Sequence, residues 1–324
     1  MFIFLVLPVS GFAKAPERIF YMNGSRETQA IASIKKNYKK IDILAPQSYV
    51  LTSTFRLSGG IGKNLKKVIY DYKIKTMPLV ANNGFSQKTI HNFLQEAKAQ
   101  DVFISNLIAI AKQEKYIGWQ YDFENINYLD KDLYSAFVEK TGAEFKKAKL
   151  IFSVAVITRQ TDYEDTPAFK NWGGAFDYAR LAKASDFISI MTYDDPNSKG
   201  PVASLPFINN CLAYVKDKIP PEKLSLGIPL YYWSWDVMQS KKINIGGNYD
   251  RLLGIMASNR CTTGFDEYLG TAWMTYSANN KRYGFWFTDK ITIQKRMEII
   301  KQNNFRGFSA WLLGVEDPAI WSAL

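Results

Sequence analysis

The 324-residue chain has a single histidine, two cysteines and no apolar run long enough to cross a bilayer, and each shortage closes off a chemistry. A membrane helix needs about 20 consecutive apolar residues. With His91 alone, a multi-histidine zinc site is excluded, and a Ser-His-Asp triad would rest on one residue. Cys211 and Cys261 are far apart and form no CxxC pair, so neither a zinc ribbon nor a disulfide scaffold is available. No metal and no cofactor is expected. Dense basic arms and aromatic-interleaved RNA motifs are missing as well. The 41 Lys and Arg, against 30 Asp and Glu, are scattered along the chain, so nucleic acid is not an expected partner. A net charge of +11 instead suits an anionic polymer.

What the chain does have is ring-bearing side chains, at 15% of residues, in an otherwise ordinary globular composition. Its first residues, Phe2 to Ala13, make a short apolar run that ends in small residues. This reads as a secretory signal over 1–13, without a basic n-region, and leads to a mature domain over 14–324. The expected location is therefore secreted, periplasmic or cell-envelope, where Cys211 and Cys261 could pair. His91 reads as a surface helix residue.

Eight short β-rich runs then alternate with amphipathic stretches. The runs are 18–22, 41–45, 76–80, 116–123, 150–155, 187–193, 224–230 and 307–311, and the helical patterns include 86–100, 132–147 and 291–303. Repeated βα units predict an α/β fold, and eight of them predict a closed (β/α)8 TIM barrel. Between the seventh and eighth runs the spacing breaks. Residues 233–289, with Trp233, Trp235, Trp273 and Trp286, read as a small α+β insertion whose tryptophans either pack or line a groove.

The fourth run carries the chemistry. At a period of two, Ile117, Trp119, Tyr121 and Phe123 share one face, and Gly118, Gln120, Asp122 and Glu124 share the other. In a barrel that second face points inward, where unpaired carboxylates are costly unless they open onto a cleft. Asp122 and Glu124 lie on one side, about 7 Å apart at Cα. An ionised Asp122 then raises its neighbour and keeps Glu124 protonated as a general acid near neutral pH.

Gly118-x-Gln120-x-Asp122-x-Glu124 resembles the DGxDxDxE signature of glycoside hydrolase family 18, the chitinases and endo-β-N-acetylglucosaminidases. Met191-Thr192-Tyr193-Asp194, Leu226-Gly227-Ile228-Pro229-Leu230-Tyr231 and Gly307-Phe308-Ser309-Ala310-Trp311 resemble the motifs of later strands of that family, in the same order. The ending Leu313 to Trp321 is closest to its bacterial spore-cortex and cell-wall branch. The resemblance implies that Glu124 is acid and then base, and that the nucleophile is the substrate's own acetamido oxygen. It implies that Asp122 steadies the oxazolinium, that Tyr193 donates to the acetamido oxygen, and that Gln120, Met191, Asp194 and Trp311 bind sugar. Two positions depart from the signature, Ile117 and Gln120, where the family has aspartates. As an amide, Gln120 can bond Asp122 but cannot share its proton, so Gln120→Asp is expected to move the acidic limb of the pH–rate profile. The expectation is a monomeric, secreted, retaining hydrolase of N-acetylglucosamine polysaccharides, peptidoglycan before chitin. The rivals are a chitinase or chitooligosaccharide hydrolase, and a non-catalytic carbohydrate-binding barrel.

Overall fold

The computed structural model describes residues 15–324, so the run read as a signal lies outside the described residues. The expected alternation is present as β1 (Glu17–Asn23), α1 (Glu27–Asn37), β2 (Ile43–Leu51), β3 (Leu57–Gly59), α2 (Lys63–Tyr72), β4 (Leu79–Asn82), α3 (Gln87–Leu94), α4 (Ala97–Glu114) and β5 (Gly118–Asp122). It continues through α5 (Lys131–Ala148), β6 (Ile151–Ile157), α6 (Tyr178–Ala184), β7 (Phe187–Met191), α7 (Leu205–Val215) and β8 (Leu224–Pro229). After β8 come β9 (Tyr232–Asp236), β10 (Lys241–Gly247), α8 (Tyr249–Ser258), β11 (Thr262–Asp266), β12 (Thr271–Ala278) and β13 (Lys281–Phe287). The chain then returns through α9 (Lys290–Gln302) and β14 (Gly307–Trp311).

Eight parallel strands, in the order β1-β14-β8-β7-β6-β5-β4-β2, close into a barrel because β1 pairs with both β14 and β2. Strands β9 to β13 form a separate five-stranded antiparallel sheet. With α8, that sheet is the α+β insertion expected between the seventh and eighth barrel strands. Two local features differ from expectation. The short β3 hairpins back onto β2, and the helix read over 86–100 is two helices. Ser86 caps the first of these by accepting from the Thr89 amide at 3.3 Å. The buried Gln100 side chain donates to the carbonyls of Phe93 and Leu94, satisfying that helix's free C-terminal acceptors where the chain breaks.

The outward face of β5 behaves as its alternation requires. Trp119 donates from Nε1 to the Leu107 carbonyl on α4, and the Tyr121 hydroxyl meets Thr141 on α5. Tyr121 and Phe137 stack with centroids 5.3 Å apart, in a ring-rich layer with Phe103 and Phe123. Each fully buried aromatic contributes about 1.5–3 kcal/mol. Gly118 begins β5 because nothing larger fits: a Cβ there would stand 1.9 Å from the Ile151 carbonyl oxygen of β6.

Inside the barrel, one layer is polar rather than aliphatic. Gln120 Nε2 donates to Ser153 Oγ at 2.7 Å and Ser189 Oγ at 2.8 Å, and Ser189 and Ser225 both bond Ser309. All five side chains are buried, so the chain of hydrogen bonds replaces hydration that the interior cannot supply. Both cysteines are free thiols: Cys211 is buried on α7, and Cys261 lies in the insertion just before β11. The pairing that export would allow is therefore not made. No described helix is long and apolar enough to cross a membrane.

Candidate active site

At the C-terminal ends of the barrel strands lies a cavity of about 900 Å³. Its walls include Asp122, Glu124, Met191, Tyr193, Asp194 and Trp311, six of the seven expected site residues. They come from the ends of three barrel strands, β5, β7 and β14, and the turns after the first two, and closure of the barrel brings them together. The seventh, Gln120, is fully buried and absent from the cavity walls. Its amide is committed to Ser153 and Ser189 rather than to Asp122. The bond expected between Gln120 and Asp122 is supplied instead by Gln47 in the middle of β2, whose Nε2 donates to Asp122 Oδ2 at 3.1 Å.

Strand β5 ends at Asp122, so Glu124 sits two residues beyond it in the turn. Asn82 fixes that turn from the end of β4. Its Oδ1 accepts from the Glu124 amide at 3.0 Å, and its Nδ2 donates to the Glu124 carbonyl at 2.9 Å. The next residue, Asn125, has φ 54°, a left-handed conformation that Asn tolerates better than most. Its side chain donates to the Phe85 carbonyl at 3.0 Å, which offsets the strain. The backbone under Glu124 is thus held while its carboxyl faces the cavity.

Burial pushes Asp122 up to about 6, and the Gln47 hydrogen bond pulls it part of the way back. Glu124 is pushed up to about 8, first by burial, then by the negative charges of Asp122 and Asp194. The direction for Glu124 matches the sequence reading, but its main cause is the dry surround rather than the neighbouring charge. Both shifts are upward and the larger is on Glu124, so of the two carboxyls it is the one that keeps a proton to higher pH.

Asp194 is the most exposed of the three acids and also has a left-handed φ, 57°. It accepts from the Tyr231 hydroxyl at 2.6 Å. Burial of its carboxyl still raises it, opposed by that hydrogen bond and by Lys242. Tyr193 lines the wall with its hydroxyl held firmly protonated, chiefly by burial and then by nearby negative groups. Gly227 makes room for it, since a Cβ there would stand 2.8 Å from the Tyr193 ring and 2.5 Å from the Ile190 carbonyl oxygen. Below lies Tyr21 of β1, whose ring is centred 5.7 Å from that of Trp311. Its hydroxyl is raised to about 12 by burial.

Sequence reasoning missed Tyr21, Gln47 and the whole β6–α6 wall. That wall runs from Thr158 to Gly173 and offers Tyr163, Phe169 and Trp172 to the cavity. Arg159 pins it with hydrogen bonds to Asp162 at 2.7 Å and the Phe176 carbonyl at 3.0 Å. No local signal marks these residues; only the closed barrel sets them opposite Glu124. The four insertion tryptophans do not line the cavity. Trp233 and Trp235 are buried, and Trp235 donates to the Gly200 carbonyl at 2.7 Å. His91 is half-exposed on α3 and pairs with Asp130 at 2.9 Å, away from the cavity walls.

Comparison with known proteins adds what geometry alone does not. The family described as glycosyl hydrolases family 18 matches residues 28–316. The uncharacterized glycosylase YvbX of Bacillus subtilis (strain 168) is 25% identical over 99% of this chain and 94% of its own length. The cortical fragment-lytic enzyme of the same organism is 24% identical over 81% of this chain, a match that spans 62% of that longer protein. Among solved structures, a chitinase from Chromobacterium violaceum ATCC 12472 superposes with a TM-score of 0.83 at 22% identity, over 95% of this chain and 98% of that one. The spore cortex-lytic enzyme SleL of Bacillus megaterium QM B1551 gives 0.82 at 24% identity, over 98% and 75%. At these identities the structural likeness speaks for the fold.

Proposed function

The chain belongs to the glycosyl hydrolases family 18, and from that premise we propose that it is a retaining hydrolase of β-1,4-linked N-acetylglucosamine glycans, with peptidoglycan as its preferred substrate. One observation carries the reading: Asp122 and Glu124 open together onto a cavity at the C-terminal end of the barrel, where burial raises both carboxyls and Glu124 the more. In this reaction Glu124 gives its proton to the glycosidic oxygen as the bond breaks. The acetamido oxygen of the sugar attacks the anomeric carbon, so no enzyme carboxylate forms a covalent bond. Asp122 holds the acetamido N–H and offsets the positive charge of the oxazolinium. Tyr193, a firm proton donor, binds the acetamido oxygen, and Asp194 binds the same sugar. Trp311 and Met191 floor its apolar face. Glu124, now ionised, takes a proton from the water that opens the oxazolinium, and the configuration is retained.

The preference for peptidoglycan is supported by the net charge of +11 and by relatives whose names place them on spore cortex. Secretion to the cell envelope and action as a monomer complete the proposal. The test compares wild type and Glu124→Gln on purified wall sacculi and on chitooligosaccharides, with products read by mass spectrometry. Muropeptides released by wild type but not by the variant support the reading. Cleavage of chitooligosaccharides alone makes the protein a chitinase, and sugar binding with inertness on both makes it a lectin-like barrel.

A further inference from the structure

Among the described residues, Arg296 of α9 is the only basic side chain that is fully buried, at 1% exposure. It stands at the seam between the inserted lobe and the barrel. Its Nη2 donates to the Ala203 carbonyl, just before α7, at 2.9 Å. Its Nη1 meets no hydrogen-bond acceptor among the described residues. Gly270, in the turn between β11 and β12, has φ 65°, and a Cβ there would stand 3.2 Å from that nitrogen. The turn packs on the guanidinium without giving it a partner.

A charge buried in this way is costly unless one of opposite sign sits beside it. The adjacent Lys295 takes Glu267 at 3.4 Å, and no carboxylate oxygen lies within 4.0 Å of the Arg296 guanidinium among the described residues. Burial pushes Arg296 down to about 10, so the group is still a cation at neutral pH. Beside it lies a small cavity whose walls include Arg296, Ala203, Tyr231, Thr271, Trp286 and Thr288. None of these six residues lines the active-site cavity. The centre of a water-sized sphere can range over about 10 Å³ within it, which is room for one small guest but not for a polyatomic anion. Thr271 and Thr288 are neutral, and their hydroxyls donate to the carbonyls of Phe287 and Pro229. The walls therefore leave the guanidinium charge uncompensated.

We propose that this cavity is a binding site for a monatomic anion of chloride size, with Arg296 as its principal ligand. Water would satisfy the free donor and leave the charge bare, whereas an anion answers both. A threonine hydroxyl can also rotate its hydrogen onto such a guest. Thr271 and Trp286 belong to the inserted sheet, while Arg296 and Ala203 belong to the barrel's own helix and loop. A bound ion thus ties the lobe to the barrel, and the fold gains stability as the site fills. The proposal does not depend on the hydrolase reading.

The experiment follows the melting temperature at fixed ionic strength while sodium chloride replaces sodium gluconate, whose anion is too large for the cavity. Wild type should melt higher as chloride rises, levelling off as the site fills, by about 2 °C or more in all. Thr288→Glu brings a carboxylate of the chain's own into the same cavity, and its melting temperature should no longer depend on chloride. Arg296→Met removes the ligand and should lose the dependence as well. Wild-type crystals soaked in bromide should show an anomalous peak beside Nη1, a readout that needs no variant to fold. A wild type that ignores chloride, a chloride response of equal size in wild type and Thr288→Glu, or bromide-soaked crystals without that peak would each overturn the proposal.

Discussion

Gln47 donates to Asp122 at 3.1 Å, and no other side chain among the described residues bonds that carboxylate. The amide comes from β2, far in sequence from the strand that carries the acids. A hydrogen bond given to a carboxylate favours its charged form. Without it, burial alone would act on Asp122 and raise it further. Gln47→Leu should therefore move the acidic limb of kcat/KM upward by about one pH unit, and lower the rate on that limb about tenfold. The alkaline limb, set by loss of the Glu124 proton, should move little. Initial rates across pH with a chitooligosaccharide or solubilised wall substrate check this, and an unmoved acidic limb removes Gln47 from the site.

Glu124 ought to destabilise the fold that holds it. Its carboxyl is raised from the usual range to about 8, while in the unfolded chain it titrates near ~4.3. Between those values the folded protein keeps a proton that the unfolded chain has released. Stability then falls as pH climbs through that window, and the whole cost is present above it. Glu124→Gln removes the charge but keeps the shape. The variant should melt higher than wild type at about pH 8.5, with the difference closing below about pH 4. Thermal denaturation of both proteins across this range is the measurement.

Gln120 separates two roles that its place in the motif leaves together. Since it bonds Ser153 and Ser189 below the floor of the cavity, its loss strips hydrogen bonds from a dry layer. Gln120→Leu should cost about 1–3 kcal/mol by denaturant unfolding. Its KM should stay near that of wild type, because no sugar reaches the position. A large rise in KM with unchanged stability would place Gln120 at the substrate after all.

The parts of this protein that were legible in its sequence are those written in local periodicity. Alternation along β5 separated Trp119 and Tyr121, which pack under helices, from Asp122, which faces the cavity. Recurring β-rich runs gave the barrel, and the break in their spacing gave the insertion. The rest depends on closure. Gln47 and Tyr21 are ordinary strand residues until β1 and β2 meet, and the Ser153–Ser189–Ser309 layer exists only where three strands converge. The insertion tryptophans were ambiguous because ring spacing does not reveal whether a face meets solvent or the barrel. Burial of Trp233 and Trp235 resolves those two as packing.

Arg159 is the pin of a wall that only the three-dimensional structure reveals. Its guanidinium lies 4.9 Å from the Tyr178 ring centroid, 5.3 Å from that of Tyr214 and 5.4 Å from that of Phe169, while bonding Asp162 and the Phe176 carbonyl. A planar fork makes these contacts together, which a lysine ammonium cannot do. Arg159→Met should lower stability by roughly 1–3 kcal/mol through lost cation–ring contacts and a bared carbonyl. Because Asp122 and Glu124 are held by other elements, the chemical step should survive. The loosened loop should instead raise KM several-fold with kcat close to wild type. Arg159→Lys should behave like the methionine variant rather than restore the wall. Steady-state kinetics and thermal denaturation of the two variants decide it, and a fall in kcat with an unchanged KM would mean that this loop serves the reaction rather than the binding of sugar.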